Sequence, residues 1–462
     1  MGGGGAPVRL VHLGLGNFFR AHQAWYTDHA GDGWGYAAFT GRSPDLAAAL
    51  TAQDCRYTLV TRAADADRYE LVRSLSAAHP AADHESWLGY LRSPELAAVT
   101  ITVTEAGYFR RPDGGLDVAR REVAADLAAL RSEPTAPVRT APARLVAGLL
   151  ARRLADAGPL AIVPCDNLPS NGPITRRVLT DLAELLDHSL ATWLAGNVTI
   201  VTTMVDRITP RTTAADARAV RDLTGFDDRC PVITEPFSDW VLSGDFPAGR
   251  PRWQDSGATF TDDVVPFEDR KIWLLNGAHS LLAYAGSIMG HATVADAVAS
   301  PTCMQWLTEW WDEASVHLSQ PAGEIASYRA ALLARFENAR MRDRLGRIAA
   351  DGSQKLPVRV LPVLRDERAA GRLPPGASRV LAAWVCHLRG LGAPVNDARA
   401  EELLPLAGGP IGLAVSRVLR WLEAGLGDDA DLIALVTEQA DQLSHTRPVS
   451  PSQAAGPLSA SD

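Results

Sequence analysis

Lysine is almost missing from this chain. Of its 45 basic residues only Lys271 and Lys355 are lysines, which leaves 43 arginines. Arginine has taken nearly every position where any cation serves. The two lysines that survive are therefore candidates for chemistry a guanidinium cannot perform, because a desolvated lysine can lose its proton and act as a base. The plainer reading, chance survival or a packing need for a slim stem, weighs about equally for a lysine taken alone. Cysteine is sparse too. Cys55, Cys165, Cys230, Cys303 and Cys386 are far apart, odd in number and free of any CxxC pair. They read as reduced thiols of a cytoplasmic protein. None of the eleven histidines falls in an HxxxH or HExxH pattern, so no metal is expected. Long apolar runs are absent, which excludes a transmembrane helix. The start, four glycines after Met1, reads as neither signal peptide nor anchor. No basic block relieves a net charge of −9, which argues against nucleic acid as a partner.

What is present is an α/β texture followed by a helical one. At 462 residues and 47% apolar the chain can hold two or three domains with a substantial core. Val8–Gly14, Tyr36–Thr40, Ala98–Glu105, Leu160–Cys165 and Val198–Val205 read as buried strands, alternating with helices at His22–Ala30 and Val138–Ala157. That alternation predicts a parallel sheet. Tyr57–Ser74 reads as a hairpin insertion. Beyond Pro266 the pattern is helical at Leu274–Met289, Cys303–Gln320, Ile325–Arg344, Ala377–Leu391, Ala398–Leu406 and Ile411–Ala424. The domains are placed at 1–262 and 263–444, with a Ser/Pro-rich stretch at 445–462 expected to be disordered.

At the end of the first strand stands Gly14-Leu15-Gly16-Asn17-Phe18-Phe19. A strand entering a GxG turn and then a helix lets backbone approach a pyrophosphate. Phe19 occupies the place of the usual third glycine, and a lone GxG is also compatible with a simple tight turn. The second strand ends without the acidic residue that would hold the ribose of NAD. Arg42 there suits a 2′-phosphate, or is simply an exposed loop arginine. Lys271, Asn276 and His279 are more specific. On an α-helix, positions five and eight residues after the lysine lie about 140° and 80° around the axis, so all three share one broad face. A neutral lysine can take the hydroxyl proton of a secondary alcohol, and an asparagine amide can donate to the developing oxyanion. The competing reading is a polar solvent face. Strand ends at Glu105, at Asp166-Asn167 and at Asp206 supply further polar groups, for which helix capping is the commoner role.

Six segments taken together carry a resemblance: VHLGLGNFFRAHQAWY, TVTEAGY, CDNLPSNG, TTMVDRITP, PFEDRKIWLLNGAHS and DGSQKLPVR. In order and spacing they resemble the polyol-specific long-chain dehydrogenases, the mannitol dehydrogenase family that includes fructuronate and tagaturonate reductases. The resemblance implies an N-terminal Rossmann-type domain with a parallel sheet core and a mostly α-helical C-terminal domain, substrate between them, and no metal. It implies Lys271 as general base, Asn167 and Asn276 as oxyanion donors, and His279 and Asp206 at the substrate. It implies Glu105 on the proton path and a cofactor turn at Gly14, Leu15, Gly16, Asn17 and Phe18. The family pattern itself lacks the third glycine. NAD is the expected cofactor, with NADP admitted by Arg42.

DGSQKLPVR is similar to the fructuronate reductase branch, where Lys355 and Arg359 suit a carboxylate clamp. The expected pair is therefore an aldonate and its keto-uronate, of D-mannonate/D-fructuronate type. Mannitol/fructose comes second and a mannitol 1-phosphate third. A small sugar alcohol or acid is the expected partner, on a monomer or weak homo-oligomer. A non-catalytic dinucleotide sensor is disfavoured because every reactive position is intact. A hydrolase or zinc dehydrogenase lacks its motifs.

Overall fold

A computed structural model describes residues 5–41 and 43–445. It divides into two compact units, Met1–Val265 and Pro266–Asp462. Arg42 and the expected tail beyond His445 lie outside the described residues. Among the described residues no helix is long and apolar enough to cross a membrane.

The strands of the first unit, in chain order, are β1 (Val8–Leu13), β2 (Gly35–Phe39), β3 (Tyr57–Arg62), β4 (Asp67–Val72), β5 (Leu75–His79) and β6 (Ala98–Ile101). β7 (Leu160–Pro164), β8 (Val198–Ile200), β9 (Thr202–Asp206), β10 (Val232–Thr234), β11 (Asp239–Ser243) and β12 (Thr259–Phe260) follow. Six of them form one sheet in the order β5-β2-β1-β6-β7-β8, parallel at every pairing. By appearance within that sheet this is the order 3-2-1-4-5-6 of a doubly wound dinucleotide-binding fold. Alternate residues feed opposite cores. Val11, Leu13, Leu160 and Ile162 join Trp87, Leu91, Val146 and Leu182 on one face. Leu10, Ala161 and Val163 join Phe19, Tyr26 and Trp240 on the other. Helices on both faces explain why β2 and β7 are buried at every residue, the mark of a parallel sheet.

The hairpin expected at Tyr57–Ser74 is β3 and β4, paired antiparallel from Tyr57↔Val72 to Arg62↔Asp67. The single strand expected at Val198–Val205 is two strands. β8 stays in the parallel sheet, while β9 pairs antiparallel with β11 in a separate three-stranded sheet. The Asn171 side chain supplies the reason. Its Nδ2 donates to the Thr203 carbonyl at 2.9 Å and its Oδ1 accepts the Thr203 N–H at 3.0 Å, taking the two groups a longer ladder with β7 would need. Gly172 lets the loop come this close, since a Cβ there would lie 2.2 Å from Thr202 Oγ1.

The second unit is helical. Pro375–Leu388, buried at nearly every position, is its central helix. Pro301–Val316, Ile411–Leu422 and Ala430–His445 surround it. The helix expected at Ile325–Arg344 is Ala322–Phe336 followed by a short turn. Lys355 lies in a helix, Gly352–Arg359, entered from a left-handed Asp351. Pro357 reads as a helix breaker, yet in so short a helix it deprives only the Ser353 carbonyl of a partner.

Candidate active site

The order of the parallel sheet reverses between β1 and β6, and a crevice at such a switch point is where ligands bind in open α/β sheets. The glycine turn lies there. Gly14 has φ +118°, and a Cβ on it would fall 2.2 Å from the Thr102 carbonyl oxygen at the end of β6. Its N–H and that of Leu15 both donate to the Phe39 carbonyl, at 3.0 and 2.8 Å. The fold therefore requires glycine at 14. It does not at 16: Gly16 has φ −150°, and a Cβ there would meet nothing nearer than the Gly14 carbonyl at 3.6 Å. A space left open at Gly16 suits the backbone approach a dinucleotide needs. Leu15 is buried and offers only its backbone. Asn17 Oδ1 accepts from Arg20 Nη2 at 2.8 Å, which fixes the turn against a buried guanidinium. Phe18 stacks on His22. Phe19, at the place of the third glycine, is fully buried against His12, with ring centroids 3.7 Å apart. His12 sits between the Thr100 and Thr102 hydroxyls at 2.8 and 3.0 Å, and burial pushes its pKa down to about 3. It is a neutral structural imidazole.

The carboxyl ends of β6 and β7 carry the next polar groups. Glu105 does not extend β6, which ends at Ile101. It opens a short 3₁₀ turn, Glu105–Tyr108, and pairs with Arg110 at 3.2 Å. Asn167 lies exposed in the loop that follows β7. Its neighbour Asp166 is buried, and the Tyr108 hydroxyl donates to its Oδ2. Burial raises the Asp166 carboxyl to about 7, against the pull of Tyr108 and the backbone N–H groups of Asp166 and Leu168. Asp166, Tyr108 and Asn171 lie within CDNLPSNG and TVTEAGY, but these roles for them do not follow from the sequence. The signal for Asp166 is a carboxylate directly beside the proposed amide donor. Asp206 ends β9, not a strand of the parallel sheet. It is buried, and it stands opposite Asp239 of β11.

In the second unit the segment expected as a plain α-helix departs from that geometry. Lys271–Gly277 is a π-helix, Ala278–Leu281 is α, and Leu282–Gly286 is π again. A π turn bonds residue i to i+5, and such turns are rare and frequent at functional sites. The wider turn narrows the 140° offset expected between Lys271 and Asn276 and brings the two residues toward one side of the helix. His279, three residues on, continues that side. Lys271 is buried at 8% exposure; Asn276 and His279 are half-buried, and the His279 ring packs on Phe336.

Arg359 Nη1 donates to the Asn276 carbonyl and to Ser280 Oγ, both at 3.2 Å. Burial pulls this guanidinium down to about 10, with Tyr284 opposing. Lys355 Nζ donates to the carbonyls of Ile348, at 3.2 Å, and Ala350. Burial, then Arg359, lowers its pKa. Lys355 thus caps the end of the short helix Leu345–Ile348. Among the described residues, no three His, Cys, Asp or Glu side chains converge as a metal site would.

Comparison with known proteins adds a third line. Residues 8–255 match the model of the mannitol dehydrogenase Rossmann domain, and residues 263–443 match the mannitol dehydrogenase C-terminal domain. The chain is 34% identical over 456 residues to a D-mannonate oxidoreductase of Escherichia coli (strain K12), covering 94% of this chain and 93% of that one. It is 36% identical over 385 residues to a mannitol 2-dehydrogenase of Cereibacter sphaeroides, covering 81% and 80%. The structure of Pseudomonas fluorescens mannitol 2-dehydrogenase in a ternary complex with NAD and D-mannitol is similar at a TM-score of 0.80 and 32% identity. It covers 95% of this chain and 92% of that one.

Proposed function

The chain belongs to the mannitol dehydrogenase family, and we propose that it is an NAD-dependent, metal-independent oxidoreductase acting on a secondary alcohol of an aldonate or sugar alcohol. The observation that carries this reading is a buried lysine on a π turn with an asparagine five residues on, in a chain whose other unit has a glycine turn at the switch point of a 3-2-1-4-5-6 sheet. Gly14, Leu15, Gly16, Asn17 and Phe18 hold the dinucleotide, with Arg42 the residue that would admit NADP. When bound, the nicotinamide accepts or returns the hydride. Lys271 takes the hydroxyl proton as the C–H bond breaks and the carbonyl forms. Asn167 and Asn276 donate to the alkoxide oxygen, where charge develops. Asp206 and His279 orient the substrate, and Glu105 passes the lysine's proton to solvent.

An aldonate and its keto-uronate, of D-mannonate/D-fructuronate type, are the favoured pair. A relative named D-mannonate oxidoreductase, matched over 94% of this chain, supports it. So does Arg359, a guanidinium that reaches the Asn276 carbonyl and whose planar fork suits a carboxylate. Mannitol and fructose are the second reading, favoured by the ternary-complex neighbour and by the carbonyls Lys355 already serves. Steady-state turnover of mannonate, altronate, mannitol, arabinitol, sorbitol and mannitol 1-phosphate, each with NAD and NADP, tests the reading. A kcat/KM for mannitol above that for mannonate would reverse the order of the two. No turnover of any of them would defeat both.

A further inference from the structure

The π turn at Lys271–Gly277 does not stand on its own hydrogen bonds alone. Three of its carbonyls are met by side-chain donors from elsewhere in the unit. Trp310 Nε1 donates to the Trp273 carbonyl at 2.9 Å, and Trp311 Nε1 to the Leu274 carbonyl at 2.8 Å. Arg359 Nη1 and Ser280 Oγ reach the Asn276 carbonyl, each at 3.2 Å. Both indoles come from adjacent residues of the helix Pro301–Val316 and are buried. A tryptophan whose N–H is buried needs an acceptor, and here the acceptors are successive carbonyls of one turn. Gly277 makes the approach feasible: a Cβ there would lie 2.5 Å from Trp310 Cζ2 and 2.9 Å from its Nε1. Glycine is unfavourable inside a helix, so its presence under the indole has a packing reason.

We propose that Trp310, Trp311 and Arg359 are positioning residues that hold the π turn open and so keep Asn276 aligned one turn above Lys271. The proposal rests on the reading of Lys271 and Asn276 as base and oxyanion donor. An α turn bonds each N–H to the carbonyl four residues back, a π turn to the one five back. Relaxing Lys271–Gly277 to α geometry would return Asn276 to the offset of about 140° from Lys271 that a plain α-helix gives. External donors aimed at the Trp273, Leu274 and Asn276 carbonyls favour the wider turn. Base and amide then face one substrate oxygen together.

The test separates this role from plain stability and from substrate grip. Trp311→Phe keeps a ring and removes the N–H; Arg359→Met removes the donor to Asn276, and Arg359→Lys restores one. Gly277→Ala pushes the Trp310 indole off its carbonyl. Trp311→Phe and Arg359→Met are expected to lower kcat about tenfold or more, on mannonate and mannitol alike, with Kd for NADH unchanged within twofold. Arg359→Lys should recover part of the loss. Because the chain has only two lysines, ¹³C-lysine NMR gives a readout independent of turnover. The Lys271 signal should move in Trp311→Phe and in Gly277→Ala, while that of Lys355 stays in place. A fall in Tm with kcat and the Lys271 signal both unchanged would overturn the proposal. So would an Arg359→Met loss confined to KM for mannonate. Failure of the wild type to oxidise any substrate of the panel would instead defeat the proposed function, and the NMR arm would still decide the geometry.

Discussion

Gly14 and Gly16 stand two residues apart in one turn, and alanine at each should fail in opposite ways. At Gly14 a side chain meets both a positive φ of +118° and the Thr102 carbonyl oxygen at 2.2 Å. Backbone strain alone costs about 1–3 kcal/mol, and the junction of β1 with β6 must part as well. Taking roughly 3 kcal/mol, and about 2–4 °C per kcal/mol for a unit of this size, Gly14→Ala should lose about 6–12 °C in Tm. At Gly16 the backbone is extended and the nearest atom is 3.6 Å away. Restricting the unfolded chain there should leave stability unchanged or raise it by about 0.4–1 kcal/mol. What Gly16→Ala should lose is the dinucleotide. A hundredfold loss of affinity is about 2.8 kcal/mol. At 100 times the wild-type Kd, NADH stabilises the wild type by roughly 2.7 kcal/mol, hence about 5–10 °C, and should give Gly16→Ala about a degree. Calorimetric melting with and without NADH, together with titration calorimetry, reads both effects. Gly16→Ala binding NADH as tightly as wild type would refute the assignment of the turn.

Lys271→Ala should reduce turnover by on the order of 10²–10⁴ while leaving NADH affinity intact. Lys271→Arg should be nearly as damaging, and an active Lys271→Arg enzyme with the wild-type pH profile would exclude the lysine as base. Activity should survive exhaustive EDTA treatment, and a loss restored by zinc would mean a different mechanism. Lys355→Met leaves the Ile348 and Ala350 carbonyls without their donor and should lower Tm. A rise in KM for mannonate beyond that for mannitol would show that the lysine also grips a carboxylate, whereas a Tm fall alone would put mannitol first. Asp166 is held at about 7 against an ordinary 3.8, so its contribution to stability is complete below about pH 4 and is lost as pH rises through 7. Urea unfolding of Asp166→Asn should lack that slope, worth up to roughly 4 kcal/mol between the two limits, and an unchanged slope would remove Asp166 as its source.

The parallel sheet, the glycine turn and the helical second half are legible in the sequence because each is written in local periodicity. β7 is an unbroken apolar run, the apolar alternation of β3 and β4 is interrupted where they meet by Arg62, Asp65, Asp67 and Arg68, and the GxG falls where β1 stops. The departures were not legible, and they share a cause. Nothing between residues 198 and 205 says that the ladder must break at Thr203, because the side chain that breaks it, Asn171, lies 32 residues away. Nothing in KIWLLNGAHS distinguishes π from α, because the donors that meet its carbonyls lie 37 residues away in Trp310 and Trp311 and 83 away in Arg359. Gly352 and Pro357 beside Lys355 carry no helical signal, yet a left-handed Asp351 turns the chain into a helix there.

Periodicity reports which face of an element is apolar, but it does not report a distant side chain that hydrogen-bonds the backbone. Every buried N–H and C=O must find a partner, so a backbone can leave regular geometry only where such a side chain supplies one. Among the described residues, two such departures carry Asp206 in one unit and Lys271 with Asn276 in the other. The irregular backbone and the residues proposed for chemistry coincide, which is where local rules are expected to fail when a site needs a geometry that regular helix and strand do not provide.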